Sequence, residues 1–335
     1  MLFELNTIRK KKINLSDILK PIEQEFDQFQ EFYREFLKSD IKLLDQIMQY
    51  IVRQKSKKIR PIMVLLTSGV CGEITEESIR GAALMEILHN ATLVHDDIVD
   101  GAKYRRGEPT VNQLWKSKIS VLIGDYLLSK SLIGAVELGY NEIVCFLSNT
   151  TKRMSEGEIL QIEKTQTMDI DEKTYFRLIS DKTAALFSSC CLIGAVTSQA
   201  SESVKHAIIK FGEHLGIAFQ IKDDLLDIIG AEKLIGKPKL VDLSNNSITL
   251  PMIHALRGAS DQERDEVLKL LHERVQGGRI SFILEFIEKH GGFEYTRQKC
   301  DEYSEKAREI LMSFPESGYR DALDLLVDYV TSRSK

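Results

Sequence analysis

The sequence predicts an all-α fold. Three observations carry that reading. Apolar residues recur with the helical period along nearly the whole chain. Strand-like alternation bounded by turns is scarce. Only 6 Pro and 20 Gly occur in 335 residues, so long stretches lack helix breakers. A hydrophobic share of 43% and a charged share of 28% suit a globular chain with a sizeable core. No low-complexity linker or solenoid repeat divides it, so a single domain of roughly a dozen helices over residues 1–335 is expected.

The elements follow in order. Within the N-terminal helical segment, residues 1–40, Ile22, Phe26, Phe29, Phe32, Tyr33 and Phe36 form one apolar stripe. Leu43, Leu44, Ile47 and Ile51 form the next. Lys55–Lys58 break the pattern, and Pro61 suits the first position of a following helix. Further breaks are expected at Gly72–Thr75, Gly101–Pro109, Thr167–Asp171 and Gly230–Ser247. The uncharged stretch Ala184–Ser201 contains four Ser, a Thr and a Gln, so it reads as a buried helix and not as a membrane span. Val204, Ile208, Phe211 and Leu215, then Leu323, Leu326 and Val330, continue the helical period to the end.

The N-terminus has basic residues with no apolar run after them, so no signal peptide or integral membrane segment is expected, and the default location is cytoplasmic. Five scattered Cys with no CxxC pair argue for reduced, packed thiols. A net charge of −5 excludes a global basic field, and no nucleic-acid partner is expected.

Two acidic clusters have the form DDxxD: Asp96, Asp97 and Asp100, then Asp223, Asp224 and Asp227. Steps of about 100° place positions i, i+1 and i+4 in one helical sector. Like charges so placed repel. Hard divalent cations relieve that repulsion, because Mg²⁺ accepts one or two carboxylates and fills its octahedron with water and phosphate oxygens. The bland alternative is a solvated acidic face. Against it, strongly apolar segments precede both clusters, which places the carboxylates at the ends of buried helices, where unpaired charge is costly.

Basic residues lie beside the breaks. Arg105, Lys182 and Lys237 suit a metal-bound anion near the acidic clusters; Lys57, Arg60, His89 and Arg106 suit a second anion held without metal. Each cation alone also fits a solvated surface, and His89 alone fits a packed core imidazole. His95 has no assigned role beyond packing. Walker, Rossmann and kinase signatures are absent from the sequence.

Taken together, these segments resemble the trans-isoprenyl diphosphate synthases, the polyprenyl synthetase family, of long-chain, octaprenyl-like type. Residues 56–61 resemble the GKRxRP box, and residues 86–110 the first aspartate-rich region. Segments 123–128, 156–161, 175–187, 216–230, 234–243 and 248–256 follow in the family's order. The match runs from about Ser56 to the C-terminus and is weakest over residues 1–40. The resemblance implies an all-α isoprenoid synthase bundle around a deep central cavity, usually a homodimer. It implies that the six aspartates hold Mg²⁺, up to three ions, bridging an allylic prenyl diphosphate. Arg105, Lys182, Thr183, Gln220 and Lys237 would contact that substrate, and Lys57, Arg60, His89 and Arg106 would bind isopentenyl diphosphate. Two departures stand out: Lys58 replaces the box Arg, and Ser247 replaces an expected Lys.

The implied reaction is head-to-tail (1'-4) condensation. Counting back from Asp96, Thr92 and Ala91 lie one turn away, with Leu88 and Met85 beyond. Short-chain members tend to place an aromatic where Ala91 and Thr92 stand, so a C30–C50 product, a quinone side-chain precursor, is expected. The alternatives are a C15–C20 farnesyl or geranylgeranyl synthase, or a non-catalytic partner subunit. Transient membrane contact fits release of a long product.

Overall fold

A computed structural model describes residues 13–168, 170–232, 248–272 and 278–332. The described chain is almost entirely helical. In order, it forms α1 (Leu15–Leu19), α2 (Glu23–Phe36), α3 (Lys42–Arg53), α4 (Ile59–Cys71), α5 (Glu76–Val99), α6 (Val111–Glu137), α7 (Asn141–Thr167), α8 (Glu172–Ile179), α9 (Ala185–Thr197) and α10 (Glu202–Glu232). A π-helical turn, Ser180–Ala184, joins α8 to α9, and α6 is kinked at Lys116. Beyond them lie α11 (Leu250–Gly258), α12 (Asp261–His272), α13 (Gly278–Lys289), α14 (Gly292–Leu311) and α15 (Gly318–Thr331).

The expected breaks are helix junctions with local causes. Thr75 and Ser78 form a reciprocal cap that starts α5. Asp171 accepts the Thr174 N–H at 2.7 Å and starts α8. Two junctions differ from expectation. First, α4 begins at Ile59, with Lys58 as a left-handed N-cap (φ 51°), so Pro61 is the third helical residue. That position still needs no intrahelical donor, because the first four N–H groups of a helix are unpaired. Second, Gly101–Pro109 contains a small antiparallel hairpin, β1 (Tyr104–Arg105) and β2 (Glu108–Pro109). Arg106 and Gly107 both have positive φ (53° and 85°), as a tight hairpin turn with the right twist requires.

Two helices form the centre of the larger core. Every residue from Pro61 to Ser68 in α4 and throughout α9 is buried. A helix buried all round has no polar face, which is why α9 reads as uncharged. Its hydroxyls are satisfied internally: Thr197 bonds Ser78 at 2.8 Å, and Ser189 bonds Thr150 at 2.9 Å. Gly194 lets α9 approach α4; a Cβ there would stand 2.2 Å from Thr67 Oγ1 and 2.7 Å from the Val64 carbonyl.

The α2 stripe is borne out, with Phe29 and Tyr33 buried. In the first turn of α3, Leu43 is exposed, and the buried face starts at Ile47. The spine is α10. Its Ile208, Phe211 and Leu215 belong to the larger core, and its Ile217, Ile221 and Leu225 to a second core with α8, α11, α13 and α14. Among the described residues, two stretches, Val111–Glu137 and Glu172–Thr197, are long and apolar enough to cross a membrane. The second is mostly buried in the protein, whereas α6 exposes Leu114, Val121, Leu122, Ile133 and Val136.

Candidate active site

The first acidic row occupies the last turn of α5. The second lies on the C-terminal third of α10, which continues past Asp227 to Glu232. The second row is therefore not at a helix end, contrary to expectation. The rows share one burial pattern. The middle members, Asp97 and Asp224, are buried; Asp96 and Asp223 are half-buried; Asp100 and Asp227 are exposed. Helix geometry explains this, because positions i and i+4 lie about 40° apart while i+1 is turned about 100° from i. The inner carboxylate of each row thus faces protein donors and the outer pair does not share its surroundings.

Those donors are specific. Arg105, on β1, places Nε 2.9 Å and Nη2 2.8 Å from Asp97 Oδ1. The Tyr175 hydroxyl of α8 donates to Asp224 Oδ2 at 2.7 Å, and the Gln220 amide donates to Asp224 Oδ1 at 2.7 Å. Thr183, on the π turn, donates to Gln220 Oε1 at 2.7 Å. One relay therefore fixes Thr183, Gln220 and Asp224 together.

Burial is the leading cause that pushes the Asp96 carboxyl up to about 7; Glu158 adds repulsion, and Lys182 partly offsets it. Burial also raises Asp224 to about 6, against the pull of Tyr175 and Gln220. Lys182 pulls on both carboxylates and lines one cavity with Asp224 and Asp227 of the second row. Lys182 Nζ is held by Glu158 and Gln161 of α7, each at 2.6 Å. Gly157 clears its path, because a Cβ there would stand 3.0 Å from Lys182 Cγ. Segment 156–161 thus holds Lys182, a role that spacing alone did not reveal.

A cavity of about 250 Å³ opens here, lined by Lys182, Thr183, Gln220, Asp224 and Asp227, with Ile170, Leu178, Ile179 and Ile228 as its apolar wall. A second cavity, of about 500 Å³, holds Lys57, Lys58, Arg60 and Arg106 with Glu86, Phe219 and Tyr329. Phe219 and Gln220 line different cavities, so the two open on adjoining faces of α10, about 100° apart.

Around the basic cavity, Arg60 Nη1 lies 3.0 Å from His89 Nε2. Arg must donate, so His89 accepts at Nε2 and carries its proton at Nδ1. Burial and the neighbouring Arg60, Arg106, Arg105 and Lys58 hold this imidazole well below its usual range, so it is neutral. Arg60 Nε is buried without a partner. Arg106 Nη1 donates to the Lys55 carbonyl at 3.2 Å, and the Lys57 ammonium lies 5.2 Å from the centre of the Tyr329 ring. Of the sequence-identified cations, Lys57, Arg60 and Arg106 converge with His89, Lys182 joins the acidic rows, and Arg105 pairs with Asp97. Lys237 and Ser247 lie outside the described residues. On α5, Met85, Leu88 and Ala91 are buried in the core and Thr92 is partly buried, its hydroxyl donating to the His89 carbonyl at 2.8 Å. Neither cavity is lined by these four.

Among the described residues, no three His, Cys, Asp or Glu side chains converge to hold an ion by protein groups alone. Mg²⁺ needs only one or two carboxylates when phosphate oxygens complete its shell. The donors are all hard oxygens, and the pull of Lys182 offsets only part of the burial cost of Asp96 and Asp224, so the residues fit such an ion.

The Polyprenyl synthetase family model matches residues 41–286. Heptaprenyl diphosphate synthase component 2 of Bacillus subtilis is 33% identical over 95% of this chain and 89% of its own. A decaprenyl diphosphate synthase crystal structure from Rhodobacter capsulatus superposes with a TM-score of 0.90 at 33% identity, covering 96% of this chain and all of that one. A polyprenyl synthase from Caulobacter crescentus, complexed with calcium and isoprenyl diphosphate, superposes at 0.88 with 28% identity, over 97% of this chain and all of its own. The chain therefore belongs to the polyprenyl synthetase family of prenyltransferases.

Proposed function

We propose that this chain condenses isopentenyl diphosphate with an allylic prenyl diphosphate, head to tail, to give an all-trans C30–C50 polyprenyl diphosphate. The observation that carries this reading is the position of Lys182, which acts on both acidic rows beside a basic cavity on the adjoining face of α10. Two anion sites of different chemistry, one carboxylate-lined and one cationic, match two diphosphates of which one needs metal and one does not.

Asp96, Asp100, Asp223 and Asp227 would hold Mg²⁺, while Asp97 and Asp224 brace Arg105 and Gln220 in place. When bound there, Mg²⁺ would supply positive charge to the allylic diphosphate and improve it as a leaving group. Lys182 adds a point charge to the same group. As the C1–O bond breaks, an allylic cation develops beside the Thr183 hydroxyl and the Gln220 amide oxygen, whose orientations are fixed by the relay to Asp224. Ile170, Leu178, Ile179 and Ile228 keep water from quenching it. Arg60, His89, Lys57 and Arg106 hold isopentenyl diphosphate so that its double bond attacks C1. The new C–C bond forms, and the proton lost from the isopentenyl unit passes to the departing pyrophosphate. No protein nucleophile takes part; positioning and electrostatics carry the catalysis.

The growing chain would run down α5, where Ala91 leaves no aromatic stop. A homodimer is supported by the apolar α6 face of Leu114, Val121, Leu122, Ile133 and Val136, a patch suited to burial against a second copy. A second reading, a chain that works with a different subunit, is favoured by the word component in the Bacillus subtilis relative's name. The deciding experiment is incubation of the purified chain alone with radiolabelled isopentenyl diphosphate, Mg²⁺ and farnesyl or geranylgeranyl primer, followed by chain-length analysis. C30–C50 products support the proposal. No product alone, with activity restored by a partner subunit, would support the second reading.

A further inference from the structure

Glu86 is a carboxylate in the middle of the apolar run of α5, and only 2% of its side chain is exposed. It is the one acidic side chain among those lining the basic cavity. Its Oε1 lies 2.9 Å from Lys58 Nζ, whose side chain is itself 16% exposed. The same ammonium sits 4.8 Å from the centre of the Tyr33 ring on α2. Asn90, one turn along α5, donates both to the Tyr33 hydroxyl at 2.9 Å and to the Glu86 carbonyl at 2.8 Å. The Lys58 ammonium is therefore held between the Glu86 carboxylate and the Tyr33 ring, two protein partners.

The backbone of Lys58 is held as well. It is left-handed (φ 51°, ψ 37°), a conformation that costs a residue with a Cβ and persists only where the surroundings impose it. Its N–H donates to Ser56 Oγ at 3.2 Å, and its carbonyl accepts the first helical bond of α4 from Ile62. This turn separates Lys57 from Arg60, the two flanking cations of the cavity.

We infer that Lys58 and Glu86 are a charge-neutral positioning pair: Lys58 does not bind the incoming diphosphate but cancels the Glu86 carboxylate beneath it and pins the turn that presents Lys57 and Arg60. The pair thereby sets the affinity of the basic cavity without touching its ligand. This deepens the proposed function and rests on the basic cavity being the isopentenyl diphosphate site.

The charges make a specific test possible. In Lys58→Met, Glu86 is left unpaired beside the anion site, so KM for isopentenyl diphosphate should rise more than tenfold while KM for the allylic primer stays within twofold. In Lys58→Met with Glu86→Gln, the uncompensated charge is gone, and KM for isopentenyl diphosphate should return to within about threefold of wild type. A residue that touched the diphosphate could not be rescued in this way. If the double variant stays as weak as Lys58→Met, Lys58 is a ligand and the inference is overturned. Should Lys58→Met not fold, the double variant against wild type decides alone by the same threshold. Stabilisation of wild type and double variant by inorganic pyrophosphate, read as a shift in melting temperature, is measured in parallel. Equal shifts support the neutral pair and loss of the shift in the double variant overturns it. A wild-type chain that shows the pyrophosphate shift but no turnover of isopentenyl diphosphate would count against the proposed function and leave the pair standing.

Discussion

Asp224 offers a quantitative test of the charge deficit in the acidic rows. Its carboxyl is raised from 3.8 to about 6, with burial as the leading cause. Between those values the folded protein keeps a proton that the unfolded chain has released, so unfolding releases a proton and folding stability falls as pH rises. Above about pH 6 both states are ionised and the loss is complete. A difference of this size amounts to about 3 kcal/mol. Asp224→Asn removes the titration while keeping an oxygen that accepts from Tyr175; its amide facing Gln220 costs about 1 kcal/mol at every pH. His89 contributes with the opposite sign, because its folded value is depressed, but it does so equally in both proteins. The measurement is urea unfolding of wild type and Asp224→Asn at pH 5 and pH 8, with EDTA present. Relative to wild type, the variant should gain about 1.4 kcal/mol of stability on going from pH 5 to pH 8, because only about half of the full difference is still present at pH 5. Parallel pH dependences, equal to within about 0.5 kcal/mol, would refute the reasoning, because Asp224 would then carry no burial cost.

Other expectations follow from single contacts. Ala91→Phe places a ring one turn below Asp96 and should shift products toward C15–C20 in a mass spectrum; an unchanged spectrum would remove α5 as the chain-length wall. Gly157→Ala crowds Lys182 Cγ at 3.0 Å and should lower kcat about tenfold, a barrier change of about 1.4 kcal/mol, with little change in KM for isopentenyl diphosphate. Gly194→Ala meets backbone and side-chain atoms at 2.2–2.7 Å and should destabilise the fold by about 1–3 kcal/mol in urea titrations, without changing product length.

Much of this molecule is legible in its sequence because helices carry their period openly. Phe29, Tyr33, Ile47, Ile208, Phe211 and Leu326 all fall on the faces that periodicity assigns, and the uncharged run around α9 is buried throughout. The acidic rows were visible because charge at the end of an apolar stretch is anomalous. What stayed hidden depends on contacts between distant segments. Spacing places Asp96, Asp97 and Asp100 in one sector, but only packing shows that Asp97 turns to Arg105 while the others do not. Tyr175 looks like one more apolar stripe residue until α8 is docked on α10. Glu86 carried a signal, a lone charge between Met85 and Ile87, yet its partner lies 28 residues away across a left-handed turn. The apolar face of α6 was missed because its exposed residues are interleaved with buried ones and reveal themselves only once the rest of the core is assembled.

The central claim is that the rows on α5 and α10 grip divalent cations together across a diphosphate. Crystals grown with Mn²⁺ and a non-hydrolysable allylic diphosphate analogue test it most directly, through anomalous scattering at the metal. The account predicts manganese peaks bound to Asp96 or Asp100 on one side and to Asp223 or Asp227 on the other, with the diphosphate between them. Manganese confined to one row, or a diphosphate seated without metal against neither row, would contradict it.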